Sequence, residues 1–243
     1  MAEPLSASAS EVRKFADAEA LAQAVASELE ARLSAPVPGF GLVLAGGSTP
    51  RRAYELLAEK RADGATWTSV SVWFGDERCV PPEHPDSNYA MAKTALLDRS
   101  GPFVVRRVRG ELPPHEAADD YERQLRADAR SPARPPFDLV LLGMGDDGHT
   151  ASLFPGHPAL AEKSRWAVAV ETEAKAPRWR VSLTIPALTA ADDVWFLVTG
   201  AAKRAVLAEI LRDPAAAASR YPAAAVASRA RRVVWFADAA ALP

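Results

Sequence analysis

The sequence predicts an α/β fold of the doubly wound kind: a mostly parallel sheet flanked by helices, with a small antiparallel excursion near residues 166–188. Three observations carry that expectation. Short apolar runs of strand length alternate with stretches of helical periodicity, which implies right-handed βαβ crossovers. The most apolar run, FDLVLLGM at 137–144, suits the centre of a parallel sheet covered on both faces. Glycine-containing turns follow several of the runs, and such sheets hold ligands beyond the carboxyl ends of their strands.

Taken in order, residues 17–34 (DAEALAQAVASELEARLS) place apolar side chains at helical spacing behind Asp17, a good N-cap. The run from Phe40 to Ala45 reads as a buried strand. It meets Gly46-Gly47-Ser48-Thr49-Pro50 and then RRAYELLAEK, a helix with Pro50 in its first turn. SVSVWF (69–74) is a strand that ends at Gly75-Asp76-Glu77-Arg78, ahead of a proline-rich loop. A helix follows at 87–97, a strand at 103–108, and a charged surface helix at 115–129. After the central run come strands at 166–171, 180–185 and 194–199, a helix at 201–212 and a last strand at 232–237. No crossover helix fits between 166–171 and 180–185, so that pair is expected to be antiparallel. Residues 213–230 are alanine-rich and carry no clear signal. One domain spanning 1–243 is expected.

Bulk composition sets limits on function. A chain of 243 residues with 49% hydrophobic and 25% charged side chains can build an ordinary globular core. A net charge of −2 argues against a nucleic-acid partner, so an anionic ligand would have to be met by a local group of cations. The single cysteine, Cys79, excludes an intrachain disulfide and fits a reducing compartment. The start MAEPLSASAS lacks the basic-then-apolar grammar of a signal peptide, and no apolar run is long enough to span a membrane. A cytoplasmic protein, monomeric or weakly dimeric, is expected.

The stretch Gly143-Met144-Gly145-Asp146-Asp147-Gly148 formally satisfies G-x-G-x-x-G. A dinucleotide site needs a helix directly after those glycines. TASLFPGHP follows instead, and Pro155, Gly156 and Pro158 end any helix within about two turns. Two aspartates would also face an anionic ligand. The better reading is a turn off a central strand that carries Asp147 and His149 together, a carboxylate and an imidazole matched to general-base work near neutral pH. The bland alternative is a capped loop. GGSTP before a helix reads either as a phosphate cradle or as a plain βα turn with Ser48 or Thr49 as N-cap. Asp76-Glu77-Arg78 offers a second carboxylate and a cation at a strand end, or else a surface ion cluster. No metal-ligand spacing is recognisable among Asp146, Asp147, His149 and His157, so no metal and no cofactor are expected. Cys79 reads as a packing residue.

AGGSTP, WFGDERCVPPEHPDSNY, GMGDDGHTASLFPG, RVSLTIPAL and VTGAAK occur in an order and spacing that resemble the 6-phosphogluconolactonases, relatives of the glucosamine-6-phosphate isomerases. The resemblance runs from about residue 10 to the C-terminus. It implies a NagB/lactonase-type sheet and hydrolysis of 6-phospho-D-glucono-1,5-lactone without a cofactor. It implies further that His149 is the general base, Asp147 its orienting partner and Asp76 a second active-site carboxylate contacting sugar or base, with the choice of which carboxylate holds the imidazole left open. Arg78, Arg180 and Lys203 would serve phosphate and oxyanion, and Gly46, Gly47, Ser48 and Thr49 would form the substrate loop. The isomerase pattern carries a glutamate five residues after its histidine. Phe154 stands there in this chain and can move no proton, which favours the lactonase branch over a deaminase/isomerase. A non-catalytic sugar-phosphate sensor on the same fold would normally carry a DNA-binding segment, for which little room is expected before the first strand.

Overall fold

The computed structural model describes residues 9–34, 37–60, 67–173 and 175–243. The polar start of the chain, read above as free of a signal peptide, lies in part outside them. Among the described residues the strands are β1 (Ala9–Phe15), β2 (Phe40–Leu44), β3 (Val70–Phe74), β4 (Asp76–Arg78), β5 (Val104–Val105), β6 (Leu139–Gly143), β7 (Ala167–Glu171), β8 (Trp179–Leu183), β9 (Asp193–Val198) and β10 (Arg232–Asp238). Seven of them form one sheet in the order β1-β10-β9-β6-β2-β3-β5, parallel throughout. The other three make a small antiparallel sheet, β4-β8-β7. The expected parallel sheet and the antiparallel pair in the 166–188 stretch are both present.

Side-chain alternation divides the core between the two faces of the large sheet. Leu42, Leu44, Leu139 and Leu141 face the helices Ala18–Ser34 and Ser48–Lys60, while Val43, Val140 and Leu142 face the helix Pro114–Ala127 and the C-terminal segment. The chain runs outward through β2, β3 and β5, then returns to place β6 on the other side of β2 and runs outward again through β9 and β10. The reversal lies between β2 and β6, so the turns after those strands sit side by side at the switch point where such sheets hold ligands.

Several elements depart from the sequence expectation. β1 was not foreseen: it pairs with β10 at the sheet edge, and its charged residues Glu11, Arg13 and Lys14 suit an edge rather than a core. The expected strand 103–108 shrinks to Val104–Val105. Beyond it Arg107 and Arg109 turn to Glu111 and Asp120, which draws the chain off the sheet. The expected helix 87–97 is α-helical only over Asn88–Ala92 and continues as a π turn, Lys93–Leu97. The 201–212 helix opens with a 3₁₀ turn, Ala201–Lys203. The signal-free stretch 213–230 forms two short helices, Pro214–Ala217 and Pro222–Ala227, and every residue of the second is buried. No helix is long and apolar enough to cross a membrane among the described residues.

Candidate active site

β6 delivers the chain to Gly143, and a tight turn follows. The amide of Gly145 donates to the carbonyl of His149 (2.8 Å), and Thr150 Oγ1 reaches back to the carbonyl of Gly143 (2.8 Å). Gly148 has φ +79°, a left-handed conformation that glycine takes freely. No helix follows these glycines, which removes the dinucleotide reading on structural grounds. Inside the turn Asp147 Oδ1 accepts from the backbone amide of His149 at 3.0 Å and from its Nδ1 at 2.5 Å. The imidazole is 16% exposed and the carboxylate 43%. With Nδ1 donating to the carboxylate, the lone pair of the neutral ring lies on Nε2.

Burial pulls the His149 pKa below its ordinary value and outweighs the opposing pull of Asp147; the charge of Lys175 adds to the lowering and that of Asp76 opposes it. Burial alone would raise the Asp147 pKa, but the backbone and ring hydrogen bonds from His149 carry it below the usual carboxylate value. A neutral imidazole held by an ionised carboxylate is the state in which histidine accepts a proton. The turn has no space to spare. A Cβ at Gly145 would fall 1.9 Å from His149 Nδ1 and 2.4 Å from Asp147 Oδ1. We therefore expect Gly145→Ala to leave the fold intact and to cost about a hundredfold in rate by moving the imidazole, since displacements near 1 Å carry penalties of that order. Circular dichroism and steady-state kinetics on the variant check both halves.

Behind the turn lies the alanine-rich segment. The amide of Ala223 donates to the carbonyl of Gly148 at 3.0 Å, and a Cβ at Gly148 would meet the Tyr221 ring at 2.6 Å.

The His149 turn opens on a cleft of about 610 Å³, into which Gly46, Gly47, Ser48, Thr49, Asp76, Arg78, Arg180 and Lys203 also project. Every residue expected at the site lines this cleft except Asp147, which reaches it through His149. Gly46 must be glycine, because a Cβ there would lie 2.0 Å from Asn88 Oδ1. Ser48 opens the helix Ser48–Lys60, and Thr49 shares a 2.8 Å hydrogen bond with Thr199 Oγ1 across from β9. The loop is a βα turn whose helix amino end lines the cleft, with Ser48 and Thr49 inside the first turn rather than at its N-cap.

Asp76 is not a partner of the imidazole. Asn88 Nδ2 donates to its Oδ1 at 3.1 Å and Ser152 Oγ to its Oδ2 at 2.5 Å. The carboxylate that sequence left undecided as the orienting group is, by hydrogen bonding, Asp147. Glu77, the neighbour of Asp76, points the other way and is buried. It accepts from the amides of Arg78, Asn88 and Tyr89, each at 2.7 Å, and from Ser87 Oγ at 3.0 Å. Burial raises its pKa against those bonds. Its role is to fold the loop from 78 to 88 back onto β4.

In the small sheet Arg78 stands directly opposite Arg180. Side chains opposite one another share a face, and like charges in that position are destabilising by themselves. Arg180 is only 5% exposed, with its guanidinium donating to the carbonyls of Ala176 (3.1 Å) and Pro177 (3.3 Å). Arg78 Nη1 donates to the carbonyl of Asp86 (2.6 Å). Neither arginine is in a salt bridge with a carboxylate of the described residues. The carboxylates of Asp76 and Asp86 act on Arg180 from beyond salt-bridge distance, and two guanidiniums so juxtaposed are a geometry suited to an anion.

Sequence reasoning missed Asn88, Ser152 and Lys175, and it held Thr199 within the quoted block VTGAAK without giving it a role. Asn88 and Ser152 lie inside the quoted blocks DSNY and HTASLFPG, so their sites were in view but their partnership with Asp76 was not. Lys175, on the connection from β7 to β8, is a lone lysine in a polar loop and gave no signal. No group of three or more His, Cys, Asp or Glu side chains is placed to hold a metal ion among the described residues.

The doubly wound sheet, with the His149 imidazole at its switch point and the two guanidiniums of the small sheet lining the same cleft, defines an α/β protein of the doubly wound class. Within that class the chain belongs to the family of glucosamine-6-phosphate isomerases/6-phosphogluconolactonase, whose model matches residues 16–235. It is 41% identical to the human 6-phosphogluconolactonase over 229 residues, covering 91% of this chain and 87% of that protein. It is 34% identical to the probable 6-phosphogluconolactonase of Schizosaccharomyces pombe, with 93% of each covered. The structure of 6-phosphogluconolactonase from Trypanosoma brucei superimposes with a TM-score of 0.84 at 29% identity, covering 97% of this chain and 98% of that one. A monomeric glucosamine-6-phosphate deaminase also superimposes, with a TM-score of 0.77 at 18% identity over 95% of this chain and 98% of that one, and shares the fold.

Proposed function

We propose that this chain hydrolyses 6-phospho-D-glucono-1,5-lactone to 6-phosphogluconate, with His149 as general base. The observation that carries the reading is the Asp147–His149 pair opening on the same cleft as Arg78, Arg180 and Lys203. The human and Trypanosoma brucei proteins reported above carry the name 6-phosphogluconolactonase. Water gives a proton to Nε2 as its oxygen attacks the lactone carbonyl carbon, C1. The tetrahedral oxyanion is met by a cleft cation. The intermediate then collapses with cleavage of the C1–O5 bond, and the imidazolium returns the proton to the departing ring oxygen. The products are a C1 carboxylic acid, which ionises at neutral pH, and a free C5 hydroxyl. A lactone is an activated ester, so neither a covalent intermediate nor a cofactor is needed to balance the step. The phosphate supplies binding energy remote from the bond that breaks, and this positions C1 over the water.

Phe154 supports hydrolysis over deamination: it leaves no proton carrier five residues beyond His149, and its ring packs against the imidazole instead. The deciding experiment offers the purified chain freshly made 6-phosphogluconolactone and, in parallel, glucosamine 6-phosphate. Lactone hydrolysis far above the spontaneous rate, with no ammonia release, is the expected result. Ammonia release at a comparable rate would overturn the choice.

A further inference from the structure

Phe154 touches two functional groups that reach the cleft from different parts of the chain. Its ring centroid lies 4.9 Å from that of His149 at an interplanar angle of 38°, and the guanidinium carbon of Arg180 stands 5.9 Å from the same centroid. The residue is 7% exposed. Its backbone is fixed by the bonds from Leu153 N to Thr150 O (2.9 Å) and from His157 N to Phe154 O (3.1 Å), so the ring projects from a rigid turn. We propose that Phe154 is a positioning residue: one ring that sets the plane of the His149 imidazole, shields it from water, and holds Arg180 at a fixed distance from it. The proposal rests on the general-base reading of His149.

The hydrogen bond to Asp147 fixes one atom of the imidazole but leaves the ring free to pivot about that contact. A packed aromatic surface removes the freedom. It also takes the place of water, and burial is the strongest influence on the basicity of His149. The charged groups that act on the imidazole are Asp147 from its own turn, Asp76 from β4 and Lys175 from the β7–β8 connection. Arg180, from β8, lies against the same Phe154 ring, near the outer limit of cation–π reach at about 6 Å. A leucine at 154 would keep apolar bulk but offer neither a flat surface to the imidazole nor a π face to the guanidinium. A polar side chain there would readmit water.

The test uses the full chain with Phe154→Leu and Phe154→Ala, each checked for folding by thermal melting. Two quantities are followed: the titration of the His149 ring protons by NMR, and the pH profile of kcat/KM on the phosphorylated lactone. With the ring gone, burial weakens while Asp147 still favours the imidazolium. His149 is expected to titrate at higher pH than in the parent, and the acid limb of the rate profile to move with it. The rate at the optimum is expected to fall by ten- to about a hundredfold as the base loses its alignment. The alanine variant should exceed the leucine variant in both effects. An unmoved His149 titration in the folded alanine variant overturns the proposal, whatever the rate does. A moved titration with an unmoved acid limb would support the hold of Phe154 on His149 and would instead remove His149 as the base.

Discussion

Changing His149 to alanine is expected to lower kcat for lactone hydrolysis by two to about four powers of ten, the range that a positioned general base contributes. The fold should survive, because the imidazole belongs to neither core cluster and its loss takes from Asp147, near solvent, only the ring hydrogen bond while the backbone amide of residue 149 still donates to it. Binding of 6-phosphogluconate, followed by calorimetry, should persist, since the cations remain. The parent enzyme carries a related signature. With the His149 pKa depressed chiefly by burial, the base form predominates at neutral pH. Its rate should therefore stay level through neutrality and fall only below the usual histidine value of about 6.5. A kcat that ignores the substitution would dismiss His149 from the chemistry.

Replacing Arg180 with alanine is expected to raise KM for the phosphorylated lactone by about thirtyfold or more, since truncating a buried charged partner costs roughly 2–5 kcal/mol. Unphosphorylated gluconolactone should respond little. The contrast comes from position: Arg180 is buried opposite Arg78, and neither is in a salt bridge with a carboxylate among the described residues, so a dianion gains most from both. The same substitution also relieves the like-charge contact, and the ligand-free protein should be no less stable in a thermal melt by that route. Equal changes in KM for both substrates would take Arg180 out of the phosphate site.

Much of this arrangement could be read from the chain because burial writes a simple pattern. Strands enclosed on both faces, such as β2, β6 and β9, are short apolar runs, and the turns after them are where chemistry collects. β1 escaped because an edge strand exposes its charges and its partner β10 lies more than two hundred residues away. β4 escaped because three polar residues have no periodicity; only pairing with β8 makes them a strand. The same limit governs the site. Asp147 and His149 are two residues apart and were legible as a unit. Asp76 with Ser152 is a contact between distant segments, and Lys175 enters the cleft only because β7 and β8 fold as a hairpin-like pair. Local grammar identifies which turns carry functional groups, whereas the partner of each group is a matter of tertiary register.

The backing of the His149 turn by Ala223 and Tyr221 gives the alanine-rich segment a significance out of proportion to its chemistry. Methyl groups there act as shims of fixed thickness. Enlarging one in a well-packed interior costs typically 1–3 kcal/mol. Here the displaced volume would push on Gly148, one residue from the imidazole, so evolutionary drift across 222–227 is confined by bulk rather than polarity, and its harm would surface as lost turnover before lost solubility.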